Sequence, residues 1–427
     1  LEVYLGASVT LVDSTAQGCV ALETAKIDLV ISMNMINGAD SATEIYNYLY
    51  DKKYKSKLII IGNPLKELAD VVVVANSYHL QNLIRSSAKI LGITAKDMMQ
   101  KEMPLYYPIE NRFLTRVREM PCALFLQMKN GEYALVAKKG DLIGETIKKF
   151  MNEGVTTLYV NSLDRLLIVN LISASIVDFL KSTDGLEIEE KSEAVKTGFF
   201  FAAANFSSST EVATEIMDIA HACAKVMEEI AVETPSLKKL LSILNSQKDG
   251  YVYTHSILAS YVSNHIIRRV SWGGESHIEK INFVLFFHDI MLAPIYMKYP
   301  HLKYEEDMLF SDELSDKEKE VVLNHARLSA EMIVTYKRAP IGADLLIKQH
   351  HGITNGIGFA IDYKDDVSPL SKIVLISEAF IEEFSKDRDA DPNCQLDTKK
   401  ILASLYEKFR RPTYKKIIET LESFPAH

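Results

Sequence analysis

The chain has 427 residues, of which 48% are hydrophobic and 25% charged, and a formal net charge of −9. These proportions describe an ordinary globular protein of roughly two to four domains, and the acidic balance argues against broad binding to DNA or to an anionic membrane surface. No run reaches the roughly 18 apolar residues of a membrane-spanning helix.

Residues 1–100 alternate short β-branched runs with helical patterns. "SVTLVDS" (8–14), "IDLVIS" (27–32), "KLIIIG" (57–62) and "DVVVVA" (70–75) read as strands. Helical patterns lie between them and after them, at "AQGCVALETAK", "SATEIYNYLYDK" and "LQNLIRSSAKILG". Apolar strands separated by helices predict a parallel α/β sheet. The order resembles a response-regulator receiver domain without its first strand. In that family an Asp, a Ser or Thr, and a Lys end successive strands. Met33, Gly62 and Asn76 stand at those positions here. The resemblance therefore implies a domain without phosphotransfer, used for protein contact or dimerisation.

Residues 101–190 read as a small α+β module. "CALFLQM" and "EYALVAKKGD" flank Asn130-Gly131, a hairpin signal, and "TTLYVN" (156–161) is a further strand. "LLIVNLISASIVDFL" (166–180) reads as a buried helix. Residues 191–427 read as helical almost throughout. The acidic stretches at 303–320 and 385–393 read as solvated faces and loops. The four cysteines, Cys19, Cys122, Cys223 and Cys394, form no CxxC pair. That argues against a zinc knuckle or a disulfide framework and fits a reduced, cytoplasmic compartment.

Eleven histidines are present. His79, His221, His265, His277, His301 and His427 carry the ordinary reading of surface or satisfied core residues. The other five form an ordered series on apolar helical runs. His255 opens "SILASYVSNHII", His288-Asp289 ends "FVLFF", His325 lies in "VVLNHARLSAEMI", His350-His351 ends "ADLLIKQHH", and Glu378 lies in "SKIVLISEAFIEEF". One such histidine is most simply structural. Five with two carboxylates on separate helices point to a shared cation, and that donor mixture suits Mn, Fe, Co or Zn over Mg or Ca.

The order and spacing resemble the HD-GYP branch of the HD-domain phosphohydrolases, over roughly residues 240–420. The family's "HHERWDGSGYP" loop aligns with "HHGITNGIGFA" (350–360). The resemblance implies an all-helical C-terminal domain that hydrolyses cyclic di-GMP to the linear dinucleotide and GMP. It implies two divalent ions, iron or manganese, held by His255, His288, Asp289, His325, His350, His351 and Glu378. Asp289 would have the central catalytic part, bridging the ions.

Several departures bear on activity. Tyr251 stands where trinuclear members carry Glu, so two ions are expected rather than three. Glu378 replaces Asp. Leu292 replaces the Lys of "HDIGK". Gly352 replaces the Glu after the paired histidines, and "GYP" has become Gly358-Phe359-Ala360. Phe359 and Gly358 remain candidates for substrate contact, with Lys348 or Arg327 supplying the lost cation. The rival expectation is a nucleotide receptor or protein-interaction scaffold with a retained metal site, joined to a signalling partner or a second copy of the chain.

Overall fold

A computed structural model describes residues 7–36, 39–62, 64–66, 68–74, 80–93, 105–206, 213–246, 251–336, 338–390 and 397–424. The chain divides into two units, Leu1–Leu105 and Tyr106–His427.

In the first unit three strands form a parallel sheet in chain order, β1 (Leu29–Met33), β2 (Lys57–Ile61) and β3 (Val72–Val74). Helices α1 (Thr15–Thr24), α2 (Ser41–Asp51) and α3 (Leu80–Leu91) accompany it. Ser14 caps α1 by accepting from the Gln17 amide, and Asp40 caps α2 by accepting from Thr43. Leu22, Ile45, Leu49, Leu58 and Ile60 make the small core. The strand expected at 8–14 is absent. Val9, Leu11 and Val12 are exposed, so this β-branched run has no sheet edge to bury it. Asn76 lies outside the described residues.

The second unit begins with an antiparallel sheet of order β4-β7-β5-β6. Its strands are β4 (Tyr106–Glu110), β5 (Leu124–Gln127), β6 (Tyr133–Ala137) and β7 (Thr157–Asn161), all antiparallel to their neighbours. Gly131 turns the β5–β6 hairpin at φ +86° and donates to the Met128 carbonyl. β4 carries a proline and no clear alternation, and the sequence did not announce it. Two short helices, α4 (Asn111–Leu114) and α5 (Gly144–Asn152), pack here.

The helical region follows as α6 (Arg165–Lys181), α7 (Ile188–Phe206), α8 (Ala213–Glu233), α9 (Leu237–Ser246), α10 (Tyr251–Ile267) and α11 (Glu275–Phe287). After these come α12 (Ala293–Lys298), α13 (Glu305–Phe310), α14 (Asp316–Val334), α15 (Ala343–Lys348), α16 (Pro369–Ala390), α17 (Thr398–Lys408) and α18 (Pro412–Ile418). One apolar core runs from Ile109 and Leu124 of the sheet to Phe424. α10 is buried along nearly its whole length, packed by α8, α11 and α16. A Ser315–Glu318 capping box fixes the start of α14. Among the described residues no helix is long and apolar enough to cross a membrane.

His265 on α10 shows what this burial does to an isolated imidazole. Its Nε2 lies 3.2 Å from the Thr420 carbonyl and its ring packs edge-on against Phe424. Burial, with the nearby Arg269 guanidinium, lowers its pKa to about 4. On acidification the unfolded chain therefore binds this proton first. The resulting stability is present above pH ~6.5 and is lost as pH falls towards 4, on the order of 2 kcal/mol. His265→Gln, which keeps a donor for the carbonyl, is expected to flatten the denaturant midpoint between pH 6.5 and 4 relative to the parent. Identical slopes in the two proteins would contradict this.

Candidate metal centre

The side chains of the histidine series come together in the second unit. α10 carries His255 in its second turn. The buried end of α11, Phe283–Phe287, delivers His288 and Asp289, and Asp289 leaves helical geometry at φ −108°, ψ 11°. α14 supplies His325, the turn after α15 supplies His350 and His351, and α16 supplies Glu378. The donors form two neighbouring groups. One is His255, His288 and Glu378; the other is Asp289, Glu305, His325, His350 and His351. Within each group the donor atoms all lie within 4.8 Å of one another.

Ring orientation is set locally. The Nδ1 atoms of His288, His325 and His350 lie 2.9, 2.6 and 2.6 Å from the carbonyls of Leu285, Val322 and Ile347. A carbonyl only accepts, so each Nδ1 carries a proton and each Nε2 points inward. The His325 Nε2 then lies 3.1 Å from that of His350 and 3.0 Å from that of His351. Neutral imidazoles so oriented would oppose lone pair to lone pair, an arrangement that a shared cation relieves.

The carboxylates complete the pattern. Glu378 pairs with His255 through one oxygen, and its other oxygen is 3.5 Å from the His288 Nε2. Asp289 Oδ2 is 3.2 Å from the His288 Nε2, while Oδ1 is 3.4 Å from the Nε2 of both His325 and His350. His288 Nε2, Asp289 Oδ1 and Glu378 Oε1 are buried without a hydrogen-bond partner. Orphaned buried polar atoms of this kind are costly, and these three face the same centre. This donor set fits divalent transition ions.

Electrostatics divides the groups. Burial works against charge on His288, but Asp289 and Glu378 outweigh it and hold the imidazole at about 9, so the position demands positive charge. Burial, opposed by Asp289 and reinforced by His350, takes His325 down to about 4. Burial and the neighbouring His350 and His325 likewise push His351 well below its usual value. His325 and His351 are therefore neutral imidazoles, the form in which histidine binds metal.

A cavity of about 490 Å³ opens onto both groups. Tyr251, His255, Asp289, Glu305, His350, His351, Phe359 and Glu378 are among its lining residues, and the Phe359 ring stands edge-on to His351 at 4.5 Å. Its cations are Lys303, Lys408, Arg410 and Arg411. The cationic candidates read from the sequence, Lys348 and Arg327, are not among the lining residues. Arg327 instead pairs with Glu331 and with the Asn324 side chain. Gly358 is not a lining residue either. Its amide donates to the Leu323 carbonyl at 2.7 Å, holding the 350–360 loop on α14. Leu292 is fully buried among apolar side chains.

The loop's glycines have a steric reason. At Gly356 φ is +76°, and a Cβ would lie 2.9 Å from the Arg327 backbone. Gly356→Ala is expected to cost about 1–2 kcal/mol from the left-handed backbone alone, with a further penalty as the loop lifts off α14. Urea denaturation measures this, and an unchanged midpoint would contradict it. Gly352, at φ +92°, has no room for a side chain because its Cβ would meet that of Ala360.

Glu305 is the donor that sequence reading missed, because the acidic stretch around it reads as solvated. A signal was present. Met308 and Leu309 lie three and four residues on, and Met308 is fully buried, so Glu305 shares the inward face of α13. Tyr251 stacks on His255 with ring centroids 5.6 Å apart.

No protein-family model matches the chain, and no curated protein does. Among solved structures it is similar to Bd1817, an HDG"Y"P protein from Bdellovibrio bacteriovorus, at 14% identity and a TM-score of 0.44. The match covers 74% of this chain and 100% of that one. A likeness so slight does not assign the chain to a family, and the reading of this site rests on its side chains.

Proposed function

We propose that the protein is a metal-dependent phosphodiesterase of the HD-domain kind, acting on cyclic di-GMP to give the linear dinucleotide and GMP. The observation that carries this reading is Asp289. Its two oxygens face different donor groups, Oδ2 towards His288 and Oδ1 towards His325 and His350. A carboxylate in that position suits the bridge of a binuclear centre. His255, His288 and Glu378 would hold one ion, and His325, His350 and His351 the other. Iron or manganese fits the mixture of imidazole and carboxylate. Two such ions, when bound, supply Lewis-acid polarisation of a phosphoryl oxygen and a nucleophile at neutral pH.

The chain's own residues would position the substrate. Phe359 offers an apolar ring to a base. Lys408, Arg410 and Arg411, at and beyond the end of α17, offer charge to phosphates. Acidic side chains outnumber basic ones around the cavity. An anionic substrate is therefore expected to bind the metal-loaded form and not the metal-free one.

The second reading is a nucleotide receptor or scaffold that keeps its metals. Leu292 favours it, since that position offers only a buried apolar side chain and no cation for a developing phosphoryl charge. The first unit, with Met33 at the end of β1, would then provide contact with a signalling partner or a second copy. Anaerobic incubation with cyclic di-GMP and Fe(II) or Mn(II), with products separated by chromatography, decides between them. The phosphodiesterase reading predicts linear dinucleotide or GMP from the parent and none from His288→Ala. A metal-loaded parent that yields no product contradicts it and leaves the receptor.

A further inference from the structure

Glu305 lies outside the helical runs that carry the other donors. It is the first residue of α13, a helix of only six residues. The segment before it is tied down by side chains. The Lys303 ammonium and the Tyr304 hydroxyl both reach Asp389 at the far end of α16, and the Tyr296 hydroxyl donates to the Lys303 carbonyl. Behind Glu305, the fully buried Met308 anchors the helix in the core. Residues 303–310 thus form a strap fixed on both sides of the carboxylate.

That carboxylate is aimed at the second donor group. Its Oε1 is 3.5 Å from the His351 Nε2 and 3.7 Å from the His325 Nε2. Among the described residues no lysine or arginine pairs with it. Asp289, Glu378, Glu382 and Glu306 place further carboxylates around it, so acidic groups and imidazole lone pairs converge on this volume. A second carboxylate beside Asp289 and three imidazoles makes the donor set of a divalent transition ion.

We propose that Glu305 is a protein ligand of the ion held by His325, His350 and His351, delivered by the 303–310 strap. This rests on the metal-centre reading above. Occupancy of that ion and order of the strap are then coupled, so the ion holds the strap down and the strap holds the ion.

The test is chelator competition on the full chain loaded with Mn(II), with bound manganese counted by inductively coupled plasma mass spectrometry. Glu305→Gln keeps the shape and removes the charge. It is expected to release one of the two ions at a chelator concentration at least about tenfold lower than the parent, while the other ion is retained. Asp389→Ala leaves every donor in place and frees the strap. It is expected to shift the same ion in the same direction by a smaller factor. A Glu305→Gln curve that superimposes on the parent's overturns the proposal and leaves the metal centre standing. A parent that binds no manganese overturns both. Near-ultraviolet circular dichroism establishes that each variant is folded.

Discussion

Asp289→Ala is expected to abolish binding of both ions, whereas His288→Ala is expected to lose one. The difference follows from geometry. The Asp289 oxygens lie 3.2 Å from the His288 Nε2 and 3.4 Å from those of His325 and His350, so one carboxylate serves both donor groups. His288 belongs to the first group alone. Without Asp289 the second group keeps three imidazoles and Glu305, but it loses the charge that makes one site of two. Removing a partner of that kind from a buried charged cluster also leaves its neighbours uncompensated, at about 3–5 kcal/mol. Metal analysis of the purified variants measures the first effect and denaturant unfolding the second. Equal metal content in the two variants would contradict the bridging role.

The site was legible where it is local and helical. His255, His325 and Glu378 each sit in a run whose apolar spacing announces a helix, and His288-Asp289 and His350-His351 each end one. Their order along the chain was therefore enough to anticipate that they share a core. What sequence did not disclose is what long-range packing decides. Glu305 comes from a stretch dense in Glu and Asp, and only Met308 behind it turns the carboxylate inward. Lys408, Arg410 and Arg411 line the cavity because the end of α17 lies beside it, which no local pattern encodes. Arg327 is one turn or less from Asn324 and Glu331 and is engaged by both. In the first unit, the continuous apolar runs at 29–33 and 57–61 form parallel strands, but the similar run at 8–14 is not a strand and stays exposed. Strand propensity describes a residue's fit to a pleated surface and does not supply the neighbour.

Removing metal is expected to lower thermal stability substantially. The two groups bring five histidines and three carboxylates into one buried volume. A ligand that binds only the folded state at a thousandfold excess over its Kd adds about 4 kcal/mol. For a unit of this size that corresponds to roughly 8 °C in Tm, at about 2 °C per kcal/mol. Differential scanning fluorimetry with saturating Mn(II) and with excess chelator measures the difference. The account predicts the shift in the parent and its loss in Asp289→Ala. A parent whose Tm is indifferent to chelator would mean that the cluster is held by protons alone, with His288 as the imidazolium that Asp289 and Glu378 favour.

Diffraction data from crystals of the Fe- or Mn-loaded protein, collected on either side of the metal absorption edge, test the central claim most directly. The account predicts two anomalous peaks. One lies among His255, His288 and Glu378, the other among His325, His350 and His351, with Asp289 between them. A single peak, or none in protein soaked with metal at neutral pH, would contradict a binuclear centre.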